Sequence, residues 1–162
     1  MNRRRFIAQT LGLLALPIIS SKALASKVAQ TSSFQKIIKT KDEWRKILSP
    51  KQYYILRDEG TEARNSSPLN KEKRKGEYAC AGCDLPLFKS DMKYDSGTGW
   101  PSFFTTIAGT LETKTDYKMI LPRTEYHCAR CGGHQGHIFK DGPKPTGKRW
   151  CNNGLALKFI KA

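Results

Sequence analysis

Five cysteines and three histidines carry most of the chemistry this 162-residue sequence offers. Four of the cysteines fall in two matched pairs, Cys80-Ala-Gly-Cys83 and Cys128-Ala-Arg-Cys131, each with a glycine inside or just after it. Two residues between thiols let one tight turn present both sulfurs to a single ion. Two such turns complete a tetrahedral sulfur cage, the usual structural zinc arrangement. The 44 residues between the pairs exceed the roughly 15–20 of a compact zinc ribbon. The clamp would therefore tie together two separated parts of one domain. Four cysteine ligands leave no open position, so the metal would be structural rather than catalytic. Two disulfides, or two redox dithiols, are the competing readings, and the matched spacing favours zinc.

With those four committed, Cys151 is the odd thiol. A lone cysteine is often a small buried hydrophobe. Here Lys148 and Arg149 lie just upstream and Asn152 and Asn153 just downstream. Nearby positive charge favours a thiolate, and amides offer donors. His134 and His137 follow the second cysteine pair closely, so a clamp on Cys128 and Cys131 would place them rigidly. A thiolate with a histidine acid or base beside it is what nucleophilic sulfur chemistry requires.

These groups need a scaffold, and the chain supplies one of modest size. Its composition is 38% hydrophobic and 27% charged, that of a single globular domain plus a tail or signal. Residues 1–25 resemble an export signal, with Arg3-Arg4 in a charged start, an apolar run from Phe6 to Ile19, and Ala23-Leu24-Ala25 shaped as a cleavage site. The run is short of the ~20 residues of a spanning helix. The expectation is a cleaved twin-arginine-type signal, a periplasmic location and no stable membrane insertion of the mature chain; an uncleaved anchor is the alternative. The twin-arginine route carries folded proteins, so zinc could be loaded before export. The net charge of +15 attracts polyanions. Its basic residues are scattered along the chain, which favours a solvated surface over a nucleic-acid site.

Residues 26–39 read as a flexible polar connector, and 40–162 as the domain. Thr40 with Glu43 makes a capping-box pattern, followed by Trp44, Ile47 and Leu48 on one helical face. Ser49-Pro50 starts a second short helix. After Gly76 the segments become short and β-like, with candidates at 77–79, 87–89, 102–106, 117–120, 124–127, 137–140 and 156–160, separated by Gly and Pro turns. The fold expected is mainly β, preceded by short helices.

The combination resembles the methionine-R-sulfoxide reductases, the B-type enzymes. The motifs are Gly60-Thr-Glu62, the two cysteine pairs, Tyr94-Asp-Ser-Gly-Thr-Gly-Trp-Pro-Ser-Phe103, Arg123-Thr-Glu125, Gly132-Gly-His-Gln-Gly-His-Ile-Phe139, Asp141-Gly-Pro143, Thr146-Gly147 and Arg149-Trp-Cys-Asn-Asn153. The resemblance implies a tent of antiparallel sheets held by zinc on Cys80, Cys83, Cys128 and Cys131. It implies that Cys151 attacks the sulfoxide sulfur, that His134 and His137 help protonate its oxygen, that Asn153 orients substrate and water, and that Trp100 receives the methyl group; from the residues alone, Trp100 would be read as core. It also implies oxidised protein substrates with R stereochemistry; the reductant expected for an exported protein is thioredoxin-like, with glutathione- or glutaredoxin-type recycling as the alternative, and nothing in the sequence demands more than a monomer. Many members carry a resolving cysteine where this chain has Thr98, so a one-cysteine cycle ending on an external thiol is expected. Many also have serine where this chain has Gly154.

Overall fold

The computed structural model describes residues 34–162; the signal-like segment and the start of the connector lie outside the described residues. Both helices begin where their caps predict. In α1 (Lys41–Ile47) the Thr40 hydroxyl accepts from the Glu43 backbone and Glu43 reaches back to the Thr40 backbone. In α2 (Pro50–Asp58) Ser49 and Gln52 repeat the exchange, with Pro50 at the first position. Trp44 and Leu48 are buried, but Ile47 is 56% exposed. Residues advance about 100° around a helix. Trp44 and Leu48 thus lie close together, while Ile47 falls to the side of a face too narrow for three.

Nine antiparallel strands follow in two sheets. One has the order β2-β1-β9, from β1 (Gly76–Cys80), β2 (Pro86–Lys89) and β9 (Leu157–Lys161). The other runs β3-β4-β8-β7-β6-β5, from β3 (Lys93–Tyr94), β4 (Ser102–Phe103), β5 (Leu111–Asp116), β6 (Arg123–Cys128), β7 (His134–Phe139) and β8 (Arg149–Asn152). The expected mainly β, antiparallel architecture with two short leading helices is the observed one. Aromatic rings join the sheets: Phe88 stacks on Phe103 at 4.0 Å, and Tyr78 meets the same ring edge-on at 5.0 Å.

One expected strand is misplaced. Residues 117–120 form a connection, and the strand before it is β5. As an edge strand with most of its side chains exposed, β5 needs no apolar alternation. The apolar Tyr117, Met119, Ile120 and Leu121 instead stand in solvent at the hairpin tip. The short strands β3 and β8 had no periodic signal to reveal them. The connector is described only from Phe34, and there it is held rather than free. Ile37 donates its backbone N–H to the Arg130 carbonyl at 2.8 Å, and the Arg130 guanidinium lies over the Phe34 ring.

The cysteine pairs cap two strand ends, Cys80 closing β1 and Cys128 closing β6. Across the gap, the sulfurs of Cys80 and Cys131 are 3.7 Å apart, and those of Cys83 and Cys128 3.5 Å. Disulfides would bring sulfurs to about 2.05 Å. A tetrahedron of ~2.3 Å zinc–sulfur bonds has edges of ~3.8 Å. All four ligand atoms lie within 4.8 Å of one another, so the cluster fits one metal ion. The helices roof it: Arg57 stacks over Trp44 at 4.5 Å and donates twice to the Cys131 carbonyl.

The cluster thus joins the β1 and β6 ends to the helical roof. Stripping metal with a strong chelator, followed by thermal unfolding, should lower the Tm by ten degrees or more, because a buried sulfur cage left empty is a hole in the core. An unchanged Tm after verified metal loss would show that the ion is dispensable.

Candidate active site

Strand register builds the site. Directly opposed residues of antiparallel strands share a face. Cys151 on β8 opposes His137 on β7 and Ser102 on β4, and His137 opposes Glu125 on β6. A single row therefore runs Glu125, His137, Cys151, Ser102 across four strands. The alternate row, with Ile138, Trp150 and Phe103, points into the core. β7 and β8 approach closely because position 136 is glycine; a Cβ there would meet the Cys151 carbonyl oxygen at 1.9 Å.

Each histidine is held by a carboxylate. His134, fully buried, shares a proton with Glu125 across 2.9 Å from Nδ1. In the neutral ring this leaves Nε2 as a bare acceptor, and Nε2 is buried without a partner. His137 donates from Nε2 to Asp116 at 2.7 Å. Asp116 also accepts from the Lys118 backbone and from Arg123. The Lys118 N–H, then His137 and Arg123, hold the Asp116 carboxyl far below the usual carboxylate range. Burial pushes the His137 ring below its ordinary 6.5, against the pull of Asp116. The two imidazoles meet edge to face, with ring centroids 5.5 Å apart.

Burial also dominates at Cys151 and raises its thiol above the ordinary 9.0; the Arg149 charge and the Thr98 hydroxyl pull the other way. The sequence reading, in which Lys148 and Arg149 favour a thiolate, needs correction. Lys148 is exposed. Arg149 is clamped by both oxygens of Asp141 at 2.9 Å and stacked on Phe139 at 4.2 Å. Its charge still pulls the sulfur toward thiolate, and burial outweighs that pull.

A cleft of ≈ 140 Å³ opens at Cys151, lined by Trp100, His137, Asn153, Thr61, Arg123 and Phe139 among others. It has room for the end of a side chain rather than a larger ligand. Trp100 and Asn153 are fixed through one residue whose role sequence reasoning missed. The buried Glu62 accepts Trp100 Nε1–H on its carbonyl at 3.2 Å and donates its backbone N–H to Asn153 Oδ1 at 3.0 Å. Its carboxylate accepts the N–H groups of Gly154 and Leu155 at 2.6 and 2.9 Å, satisfying the start of the turn that leaves the site. Asn153 also donates Nδ2 to the Gln135 carbonyl, so most of its amide is committed to the scaffold. At Gly154 an added Cβ would meet Ser67 Oγ at 1.9 Å.

The structure thus brings Cys151, His137, Trp100 and Asn153 to one cleft. His134 stands behind His137, and the four remaining cysteines stand apart in the four-sulfur cluster. His127 faces Glu112 instead, at 3.5 Å. A larger apolar hollow of ≈ 770 Å³ between α2 and residues 61–69 has no cysteine or histidine in its walls. Glu62 and Glu125 stood inside quoted motifs but carried no assigned role; Asp116 lay in no motif at all, and only the hairpin pairing reveals it.

Comparison with known proteins agrees with this geometry. The SelR domain family matches residues 48–161. Over 122 residues the chain is 49% identical to a peptide methionine sulfoxide reductase MsrB of Methanosarcina barkeri, covering 75% of this chain and 86% of that protein. Over 128 residues it is 52% identical to an MsrB of Pseudomonas putida, covering 77% and 95%. An MsrB of Leptospira interrogans is 48% identical over 124 residues, covering 76% and 95%. With a cysteine in register with a histidine, a tryptophan wall and this degree of identity, the chain belongs to the SelR-domain family of MsrB methionine sulfoxide reductases.

Proposed function

We propose that this protein reduces methionine-R-sulfoxide in oxidised proteins, with Cys151 as the attacking sulfur. The observation that carries the reading is the opposition of Cys151 to His137 within the cleft that Trp100 walls. The indole offers the sulfoxide methyl group an apolar surface. The sulfoxide oxygen must leave bearing a proton, and the thiol has one to give. In the empty site the buried sulfur keeps its proton and His137 is neutral. His137 takes the proton from sulfur as the Cys151 sulfur reaches the substrate, and returns it to the oxygen. Cysteine thiol and sulfoxide become cysteine sulfenic acid and thioether, with no other proton required. Glu125 and Asp116 hold the two imidazoles in place for that transfer.

The sulfenic acid must then be reduced from outside. Every other cysteine of the chain sits in the metal cluster, and position 98 is threonine. An external dithiol of the thioredoxin kind attacks Cys151 sulfur, releases water, and its second thiol frees the enzyme. The metal of the cluster is zinc held by Cys80, Cys83, Cys128 and Cys131, serving structure. The signal-like start supports export to the periplasm, where the repaired clients would be exported proteins; a fusion of residues 1–33 to a reporter would test this by fractionation.

A protein substrate also fits the surroundings. The stem of the β5–β6 hairpin supplies Asp116 and Arg123 to the site, and its tip exposes Tyr117, Met119, Ile120 and Leu121. A methionine in the cleft would carry its chain neighbours within reach of that apolar tip, since each extended residue spans about 3.3 Å.

One turnover without reductant should release about one methionine per chain and leave a sulfenic acid that a trapping nucleophile captures. Cys151→Ser should release none while keeping its full zinc content. A disulfide from Cys151 to a cluster cysteine would refute the one-cysteine cycle. Measured against pH, kcat/KM should be flat across neutrality. It should fall on the acid side only below pH 6.5, as His137 gains its proton, and on the alkaline side only above pH 9, as the thiol loses its own. A profile rising through a midpoint well under pH 9 would mean that Arg149 rather than burial governs the sulfur. Replacing Ile120 and Leu121 by serine should lower kcat/KM severalfold on an unfolded oxidised protein and leave it unchanged on N-acetyl-methionine-R-sulfoxide. Equal effects on both substrates would detach the hairpin tip from recognition.

A further inference from the structure

The metal cluster and β8 meet at one side chain, Gln135, that the reaction as described does not use. Gln135 is fully buried on β7. It donates Nε2–H to the Cys80 sulfur at 3.4 Å. Its Oε1 accepts from Asn152 Nδ2 at 3.3 Å, and its nitrogen also lies toward the Gly133 carbonyl, 3.5 Å away. Its backbone carbonyl takes two more bonds, from the Asn153 backbone N–H at 2.8 Å and from Asn153 Nδ2 at 3.1 Å. Asn152 follows Cys151 directly, and Asn153 lines the cleft. Two hydrogen bonds in series thus join a ligand of the cluster to the neighbour of the proposed nucleophile.

Proton counting fixes which way the Gln135 amide faces. A side-chain amide donates from its nitrogen and accepts on its oxygen. The Asn153 carbonyl can only accept, so the end of Asn152 that faces it at 2.8 Å is Nδ2, and the Tyr126 hydroxyl answers Oδ1 at 2.8 Å. Asn152 Nδ2 therefore needs an oxygen from Gln135 as well. The Gln135 nitrogen is left for Cys80. That suits a metal-bound thiolate, which has no proton and only accepts. Four thiolates around a divalent ion leave an excess of negative charge in a buried place. Two arginines answer it at one remove: Arg57 donates to the Cys131 carbonyl, and Arg130 to the Cys83 carbonyl at 3.1 Å. Among the described residues, Gln135 is the one side chain whose nitrogen donates to a cluster sulfur itself. Hydrogen bonds to a charged partner are roughly twice as strong as neutral ones, so the sulfur dictates the orientation. Turned the other way, the amide would set its nitrogen against Asn152 Nδ2, donor against donor, and displace the residue after Cys151.

We propose that Gln135 transmits the state of the metal cluster to the cleft: the metal-bound Cys80 sulfur sets the Gln135 amide, and the amide sets Asn152 and through it the placement of Cys151. Gln135 is a positioning residue, acting on the reacting sulfur through Asn152. The tightness of the cluster and the reactivity of Cys151 are then linked, and linkage of this kind is reciprocal. Whatever loosens Asn152 also loosens the metal. The catalytic half of the inference rests on the reading of Cys151 as nucleophile; the metal half does not.

The test uses the full zinc-loaded chain, its Gln135→Met and Asn152→Leu variants, and the double variant. Methionine keeps the length of glutamine and removes both ends of the amide. Three quantities are read: the rate of metal release to a chelator, single-turnover release of methionine from N-acetyl-methionine-R-sulfoxide at full metal content, and the NMR signals of the Asn152 side-chain amide in zinc- and cadmium-loaded protein. Gln135→Met should release metal about tenfold faster and slow the single turnover severalfold while still fully loaded. The Asn152 side chain bonds to Gln135, Tyr126 and Asn153 rather than to a cysteine. Asn152→Leu should nevertheless speed metal release when Gln135 is present, and add nothing when position 135 is methionine. Exchanging zinc for the larger cadmium ion should move the Asn152 amide signals in the parent and leave them in place in Gln135→Met. Metal release within twofold of the parent for Gln135→Met, additive effects in the double variant, or equal shifts of the Asn152 signals in both proteins would overturn the proposal. A fully loaded Gln135→Met that turns over at the parent's rate would overturn its catalytic half. A parent that releases no methionine would instead remove the nucleophile reading, with metal release and the Asn152 signals still deciding the link to the cluster.

Discussion

The site depends on the registration of β8 between β4 and β7. Side chains alternate across a sheet, so a slip of one residue exchanges every inward group for an outward one. At β8 such a slip would present Trp150 or Asn152 where Cys151 belongs, and would bury the sulfur among the rings of the core. The register is held from the core face, to which Trp150 and Asn152 both point. Trp150 meets Tyr126 edge-on at 4.9 Å, and Asn152 accepts the buried Tyr126 hydroxyl at 2.8 Å. On the β7 side only a residue without a Cβ could lie as close to Cys151 as Gly136 does. The identity of one residue on β7 therefore has a direct chemical effect on the strand beside it.

Two polar fixtures outside the row complete the arrangement. The sulfur cluster joins the ends of β1 and β6, one strand from each sheet, and brings the helices down over that junction through Arg57. Glu62 does the same work on the far side of the cleft, using backbone and side chain at once to connect Trp100, Asn153 and the turn after β8. A buried carboxylate is costly without donors. Glu62 has two backbone N–H groups, which makes its place specific as well as stable. Neither fixture touches substrate in the proposed reaction. Both decide whether the groups that do are within reach of each other.

How much of this could be read from the residues alone varies with the kind of signal. The helix starts were legible, because Thr40 with Glu43 and Ser49 with Pro50 are local devices that need no tertiary partner. The cysteine pairs were legible for the same reason, since metal chemistry dictates their spacing. Cys151 emerged by subtraction, and His134 and His137 by nearness to it; the family motifs then gave Trp100 and Asn153 their meaning. What could not be read was pairing across the sheet. Glu125 and Asp116 hold the histidines only because β5, β6 and β7 lie side by side. β5 hid because an exposed edge strand needs no apolar pattern, while its apolar neighbours 117–121 mimicked a strand by occupying a turn. The net effect on the sulfur was also hidden, because its burial, which outweighs the Arg149 charge, arises only in the folded chain.

The close approach at Gly154 has a consequence for how this protein can vary. Position 154 and Ser67 compete for one volume: a methyl at 154 would overlap the Ser67 hydroxyl and press on Glu62 at 3.2 Å. The two positions are therefore linked, although they lie 87 positions apart in the sequence. A relative with serine at the position of Gly154 must have a smaller or displaced residue at the position of Ser67. A larger residue at 154 alone would press on the carboxylate of Glu62, the residue whose backbone carbonyl anchors Trp100. Along the lineage of this chain, the two sites should change together or not at all.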